Sequence, residues 1–262
     1  MLSNQAADSG KRKSLHGHWS SRMAFILAVT GSAVGLGNIW KFPYVAGQNG
    51  GGAFVLVYLA CVAIIGMPVM MSEILMGRRG RRNPIATMDL LGKEEGRSGN
   101  WKVVGAMGVL AGVFILSFYA VIGGWTLAYV FKSASGAFSN ATAEQISAIS
   151  SNFTGSWTSL GLYHTIFMAL SIFVVARGVE RGLEQAVRFM VPALLFLMVV
   201  LLAYSINSGY FGQGLEFMFS PDFSKLTWDT VLAAMGQAFF TLSIGMGAVM
   251  AYGAYLPEET SI

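Results

Sequence analysis

The sequence predicts an all-α membrane protein of about six transmembrane helices, the first and the sixth broken at mid-span. Three observations predict it. Of the 262 residues, 54% are hydrophobic and only 11% are charged, whereas a soluble domain carries about a quarter charged residues. Apolar runs of roughly 20 residues, long enough to cross a bilayer, recur along the chain. Two of those runs are interrupted by clustered glycines, at Gly31-Ser-Ala-Val-Gly-Leu-Gly-Asn38 and at Ser243-Ile-Gly-Met-Gly247.

Taken in order, residues 1–21 are polar and basic, with Lys11, Arg12 and Lys13. They lack the short apolar core and cleavage site of a signal peptide and read as a cytoplasmic tail. Residues 22–262 read as the transmembrane domain. The first span, 22–47, holds three glycines between Gly31 and Gly37. Glycine costs about 1 kcal/mol against alanine inside a helix. Non-helical backbone at membrane depth survives only where protein buries it or a wet cavity accepts it. The glycines therefore predict a deliberate break that frees carbonyls to hold something. The second to fifth spans are 52–77, 103–131, 159–176 and 186–206. The sixth, 230–255, repeats the logic of the first: Gln237, Thr241 and Ser243 lead into Gly245 and Gly247. Opposed half-helix ends offer positive N-termini to an anionic group and carbonyls to a cation.

Charge sets the orientation. All of the 17 Lys and Arg residues except Lys41, Lys132 and Lys225 fall in 1–22, 78–102 and 177–188. Those three segments are expected in the cytoplasm, at the inner face of the cell membrane, and 132–158 and 207–229 outside. The same segregation assigns the net charge of +4 to membrane orientation and gives no reason to expect nucleic acid as a partner. Cys61, the single cysteine, excludes a disulfide within the chain.

Ionisable residues inside spans need a reason. Glu73 has two readings, a helix-end residue paired near Arg78 or a member of a buried network. Lys41 is an interfacial anchor beside Trp40 or a gate charge. His164 lies in the fourth span without a serine partner motif, and no paired-aspartate or metal-binding constellation occurs. Neutral amides, hydroxyls and freed carbonyls suit binding and release, not bond breaking, so an enzyme is not expected. The alternatives to a transporter are a channel-like helical protein and an inactive structural membrane fragment.

The run Gly31-Ser-Ala-Val-Gly-Leu-Gly-Asn38-Ile-Trp-Lys-Phe-Pro43, followed by Gln48-Asn-Gly-Gly-Gly-Ala-Phe54, resembles the first-helix signature of the neurotransmitter:sodium symporter family. Gln237 to Gly247 is similar to that family's sixth-helix motif. Gly66-Met-Pro68 with Glu73-Ile-Leu-Met-Gly77-Arg78, and Ser117-Phe-Tyr119 with Gly124-Trp125-Thr126, resemble its second and third helices. The likeness runs from about His18 to the end. It implies the first repeat plus sixth helix of an inverted-repeat transporter fold, and sodium-coupled symport of an amino acid or related zwitterion by alternating access.

Residue by residue, the resemblance implies two sodium sites. One would use the Ala33 carbonyl, the Asn38 side chain and Thr241; the other would use the carbonyls of Gly31 and Val34. The substrate carboxylate would meet sodium, amides near Gly35 and Gly37, and the Tyr119 hydroxyl. The substrate amine would meet Ala33, Phe240, Thr241 and Ser243. Ile115, Phe240 and Met246 would line the side-chain pocket. Lys41 and Phe240 would gate the outer side, and Trp19 and Tyr255 the cytoplasmic side. His16 stands where the family places an arginine, with Arg12 and Lys13 nearby, and Lys41 where many members carry arginine. Met246 replaces a pocket aromatic of several members and suggests tolerance of larger apolar side chains. A homodimer in the lipid bilayer stays open. The family's second half would supply further ligands to both sodium sites. The chain is therefore expected to be an N-terminal half, with each site incomplete and no transport of its own.

Overall fold

The computed structural model describes residues 18–256, apart from the side chain of Glu180. The positions Arg12, Lys13 and His16 lie outside the described residues, as do 257–262. Every described element is helical. In chain order they are α1 (Arg22–Ala33), α2 (Phe42–Gln48), α3 (Gly52–Cys61), α4 (Met67–Gly80), α5 (Pro84–Glu94) and α6 (Trp101–Ala134). Then come α7 (Ala143–Thr154), α8 (Trp157–Ala176), α9 (Gln185–Ile206), α10 (Phe211–Phe219), α11 (Trp228–Leu242) and α12 (Ala248–Gly253). Widened π-helical turns at Gly37–Lys41, Val62–Gly66 and Val179–Glu184 lead into α2, α4 and α9. The turn before α4 sits against Pro68, which has no N–H to give the preceding turn.

Four helical stretches are long and apolar enough to cross a membrane: Gly52–Gly80, Trp101–Ala134, Trp157–Ala176 and Arg181–Ile206. A fifth is formed if the pair α1 and Gly37–Gln48, bent by 44° at its break, counts as one. The 34-residue α6 is about 51 Å long at 1.5 Å per residue, well beyond a hydrocarbon core of about 30 Å. Its outer faces carry large apolar side chains to the surface, as do those of α8 and α9: Phe114 is 66% exposed, Val175 67% and Phe196 68%. Such surface is apolar enough to be covered away from water. The family of chains with this pattern is that of multi-pass membrane proteins.

The expected connections are more structured than expected. Segment 78–102 holds α5, started by Asn83, whose side chain accepts the Ala86 N–H, and by Pro84 at the first helical position. Segment 132–158 holds α7 behind the capping box Thr142/Gln145, and 207–229 holds α10. None of the three is long enough to span.

Two buried clusters flank the middle of the molecule. Trp19, Ala24, Ala28, Ile74, Ile244, Val249 and Leu256 join α1, α4 and α12 at the end nearer the N-terminus. Ala46, Phe54 and Ala234 join α2, α3 and α11 at the other end. The α4–α12 contact depends on Gly77: a Cβ there would lie 1.9 Å from the Met250 carbonyl oxygen. Beside the first cluster, to which Ile244 itself belongs, lie the interruptions at Val34–Leu36 and Ser243–Gly247.

Candidate functional site

The helical ladder of α1 runs out at Val34, whose N–H reaches the Thr30 carbonyl at 2.8 Å while its own backbone turns extended (φ −91°, ψ 98°). It resumes when the Gly35 carbonyl accepts Asn38 N at 3.0 Å and Ile39 N at 3.1 Å. On the other chain segment, α11 ends where Ser243 enters the left-handed region at φ 54°, and Gly245 and Gly247 follow at 83° and 76° before α12 begins. A left-handed serine followed by two positive-φ glycines cannot continue a helix.

Side chains from α11 stitch the two interruptions together. Gln237 and Thr241, four residues apart, share one face of α11. Gln237 Nε2 donates to the Gly37 carbonyl at 3.1 Å, and Thr241 Oγ1 donates to Asn38 Oδ1 at 2.8 Å. Asn38 Nδ2 turns back to the Ala33 carbonyl at 2.6 Å. Ser243 Oγ donates to the Ser32 carbonyl at 3.0 Å. From behind, buried Glu73 on α4 accepts the Gly245 N–H at 2.6 Å. Of its two sequence readings, the buried network is the one the structure shows. Gln237 Oε1, Glu73 Oε2 and Trp125 Nε1 are buried and have no hydrogen-bond partner among the described residues.

The Ala33 carbonyl, Asn38 Oδ1 and Thr241 Oγ1 thus belong to one connected set. All are neutral hard oxygens, a donor set suited to a desolvated alkali ion and unsuited to a soft metal. Gly31 sits close to α9, where a Cβ would lie 2.8 Å from Val191 Cγ2. Val34 and Gly35 are half-buried at the break itself.

An aromatic group closes over this set. At Gly37 a Cβ would fall 2.4 Å from Phe240 Cε1 and 3.3 Å from the Tyr119 hydroxyl, so only glycine lets the three approach. The Tyr119 and Phe240 rings are 5.8 Å apart, and Lys41 Nζ lies 4.7 Å from the Phe240 centroid, within cation–π range. Ile115 is half-buried one turn before Tyr119 on α6; the backbone of half-buried Met246 passes 3.3 Å from where a Gly108 Cβ would be. Leu36, Trp40, Trp125 and Tyr129 line an open, mostly apolar groove of about 630 Å³.

At the opposite end Trp19, 2% exposed, donates its backbone N–H to Tyr255 O at 3.1 Å and its indole N–H to Tyr252 O at 3.0 Å. Its ring meets that of Tyr255 edge-on at 6.4 Å. Lys41 thus meets Phe240 at one end of the molecule, and Trp19 meets Tyr255 at the other. Sequence reading gave no role to Gln237 or to the Ser32 carbonyl. A glutamine inside an apolar run was the available signal for the first; a backbone carbonyl leaves none.

Comparison with known proteins identifies the family. The family model of the sodium:neurotransmitter symporter family matches residues 16–159 and 144–262. The uncharacterized sodium-dependent transporter YhdH of Bacillus subtilis is 41% identical over 244 residues, 93% of this chain and 53% of the relative. The sodium-dependent neutral amino acid transporter B(0)AT2 of Mus musculus is 29% identical, over 93% of this chain and 36% of its own. The crystal structure of MhsT in complex with L-phenylalanine superposes with a TM-score of 0.85 at 44% identity, covering 93% of this chain and 55% of that one. The chain therefore belongs to the sodium:neurotransmitter symporter family. It spans about half the length of the bacterial relatives it matches.

Proposed function

We propose that this chain forms the first half of a sodium-coupled symporter for a neutral amino acid, working by alternating access at the inner membrane with its N-terminus in the cytoplasm. On this reading α1 with Gly37–Gln48, and α11 with α12, are two broken spans, which brings the count to six. The observation that carries it is the chain of contacts Ala33–Asn38–Thr241, which gathers oxygens from the helix ends beside both interruptions. Sodium would sit on those three oxygens, and a second ion would use the Gly31 and Val34 carbonyls. The substrate carboxylate would share the first sodium with amides near Gly35 and Gly37 and with Tyr119. Neither charge is stable alone at that depth, and together they are, which couples the two species. The substrate amine would meet carbonyls at Ala33, Phe240 and Thr241; Ser243, whose proton goes to Ser32, keeps lone pairs for it. Ile115, Phe240 and Met246 would receive the side chain. Each sodium moving inward draws about 2.3 kcal/mol per 100 mV.

Both sodium sites are half-sites on this reading, completed by the second repeat. The protein in lipid nanodiscs is expected to bind a labelled neutral amino acid weakly, in sodium and not in potassium, without accumulating it in proteoliposomes. Binding that ignores sodium contradicts the proposal. Sodium-driven accumulation by the 262-residue chain alone contradicts the half-site part of it.

A further inference from the structure

The short segment ahead of α1 is held on two sides. One side is the Trp19 contact with Tyr252 and Tyr255. The other is Glu184, the last residue of the widened turn before α9, which is 3% exposed although it carries a charge. Its carboxylate accepts the Ser20 N–H at 3.0 Å and the Ser20 hydroxyl. Arg188, one turn on, donates to it at 2.9 Å and reaches Ser20 Oγ at 3.5 Å.

We propose that Glu184 is a latch, a positioning residue that touches neither sodium nor substrate and sets when the inner half of α1 can leave the 179–188 turn. The inference rests on the alternating-access reading. A buried carboxylate persists only where donors match it, and two of its three come from the segment that must move. A backbone N–H and a hydroxyl satisfy it in one register only, so the contact is made or broken and has no gradual intermediate. Arg188 makes the break tolerable. It lies on the same continuous helical stretch, Arg181–Ile206, as Glu184, with its side chain 62% exposed. It stays with the carboxylate after Ser20 departs, so the open form does not strand a buried charge. On the Glu184 side, opening then loses only the bonds to Ser20, while the Trp19 contacts are lost with or without the latch.

The test is hydrogen–deuterium exchange on the full chain in nanodiscs, read at the amides of residues 20–26. Glu184→Gln is expected to speed their exchange about tenfold or more, leaving α6, α8 and the melting temperature unchanged. Ser20→Ala, at an exposed residue that any fold tolerates, gives a smaller rise, and the double variant no more than Glu184→Gln alone. Arg188→Met gives the sharper result. It removes the open form's compensation and slows exchange, whereas a purely structural ion pair predicts faster exchange. Unchanged exchange in Glu184→Gln, a rise spread over all helices, or faster exchange in Arg188→Met overturns the latch. The readout needs neither sodium nor amino acid. Failure of sodium-dependent binding therefore refutes the transport reading and leaves the latch to be judged on exchange alone.

Discussion

Asn38 does two things with one amide. Its oxygen takes the Thr241 proton and its nitrogen holds the Ala33 carbonyl, so a single side chain ties the two interruptions to each other. Gly37 beside it has the opposite virtue, an absent side chain that lets Phe240 and Tyr119 close. Gly37→Ala is expected to keep the fold and push the Phe240 ring away, seen as lost amino-acid binding with a melting temperature near that of the parent. Glu73 can be separated from its charge. Glu73→Ala leaves the Gly245 N–H without a partner and is expected to cost about 1–3 kcal/mol of stability. Glu73→Gln keeps an acceptor oxygen and is expected to cost less; equal losses would mean that the charge matters more than the acceptor. At this scale the sequence was informative where chemistry is carried by side chains: Asn38, Tyr119, Phe240 and Thr241 all lie at the interruptions or beside them. It was silent on the Ser32 carbonyl, because every residue has one and only the folded backbone decides which is free.

Among the elements, the long apolar helices were legible because lipid demands an unbroken run of apolar residues. Observed boundaries lie a few residues outside the expected ones, as with α6 at Trp101–Ala134 against 103–131. Aromatic and basic residues at the interface extend the helix without adding hydropathy. The connecting helices α5, α7 and α10 were not anticipated, since a search for spans does not see helices of 9 to 12 residues. Their signals were local: Asn83-Pro84, and Thr142 three residues before Gln145. The α4–α12 packing yields a prediction of its own. Gly77→Ala places a Cβ on the Met250 carbonyl and is expected to destabilise by about 1–3 kcal/mol or more, as overpacking does. Thermal unfolding in detergent checks it. Met246 belongs here too, as the residue that α12 and α11 suspend between two glycines. If it shapes the pocket, competition by a panel of neutral amino acids will favour large apolar side chains, and a strict preference for glycine would sink that idea.

For the molecule as a whole, charge asymmetry and the two interruptions describe one object, a membrane protein whose broken helices are tied to each other by side-chain hydrogen bonds. Orientation can be read directly. A cysteine placed at Ser135 in a Cys61→Ala background should react with an impermeant maleimide from outside intact cells, and one at Arg97 only after permeabilisation. The reverse pattern would invert the topology. The central claim is that the oxygens of Ala33, Asn38 and Thr241 form a sodium half-site shared with the substrate. Equilibrium binding of labelled L-phenylalanine to the protein in nanodiscs, titrated with sodium at constant ionic strength, tests it most directly. The account predicts binding that rises with sodium and falls about tenfold or more in Asn38→Ala and in Thr241→Val, a loss of at least about 1.4 kcal/mol. Binding indifferent to sodium, or unchanged in both variants, would contradict it.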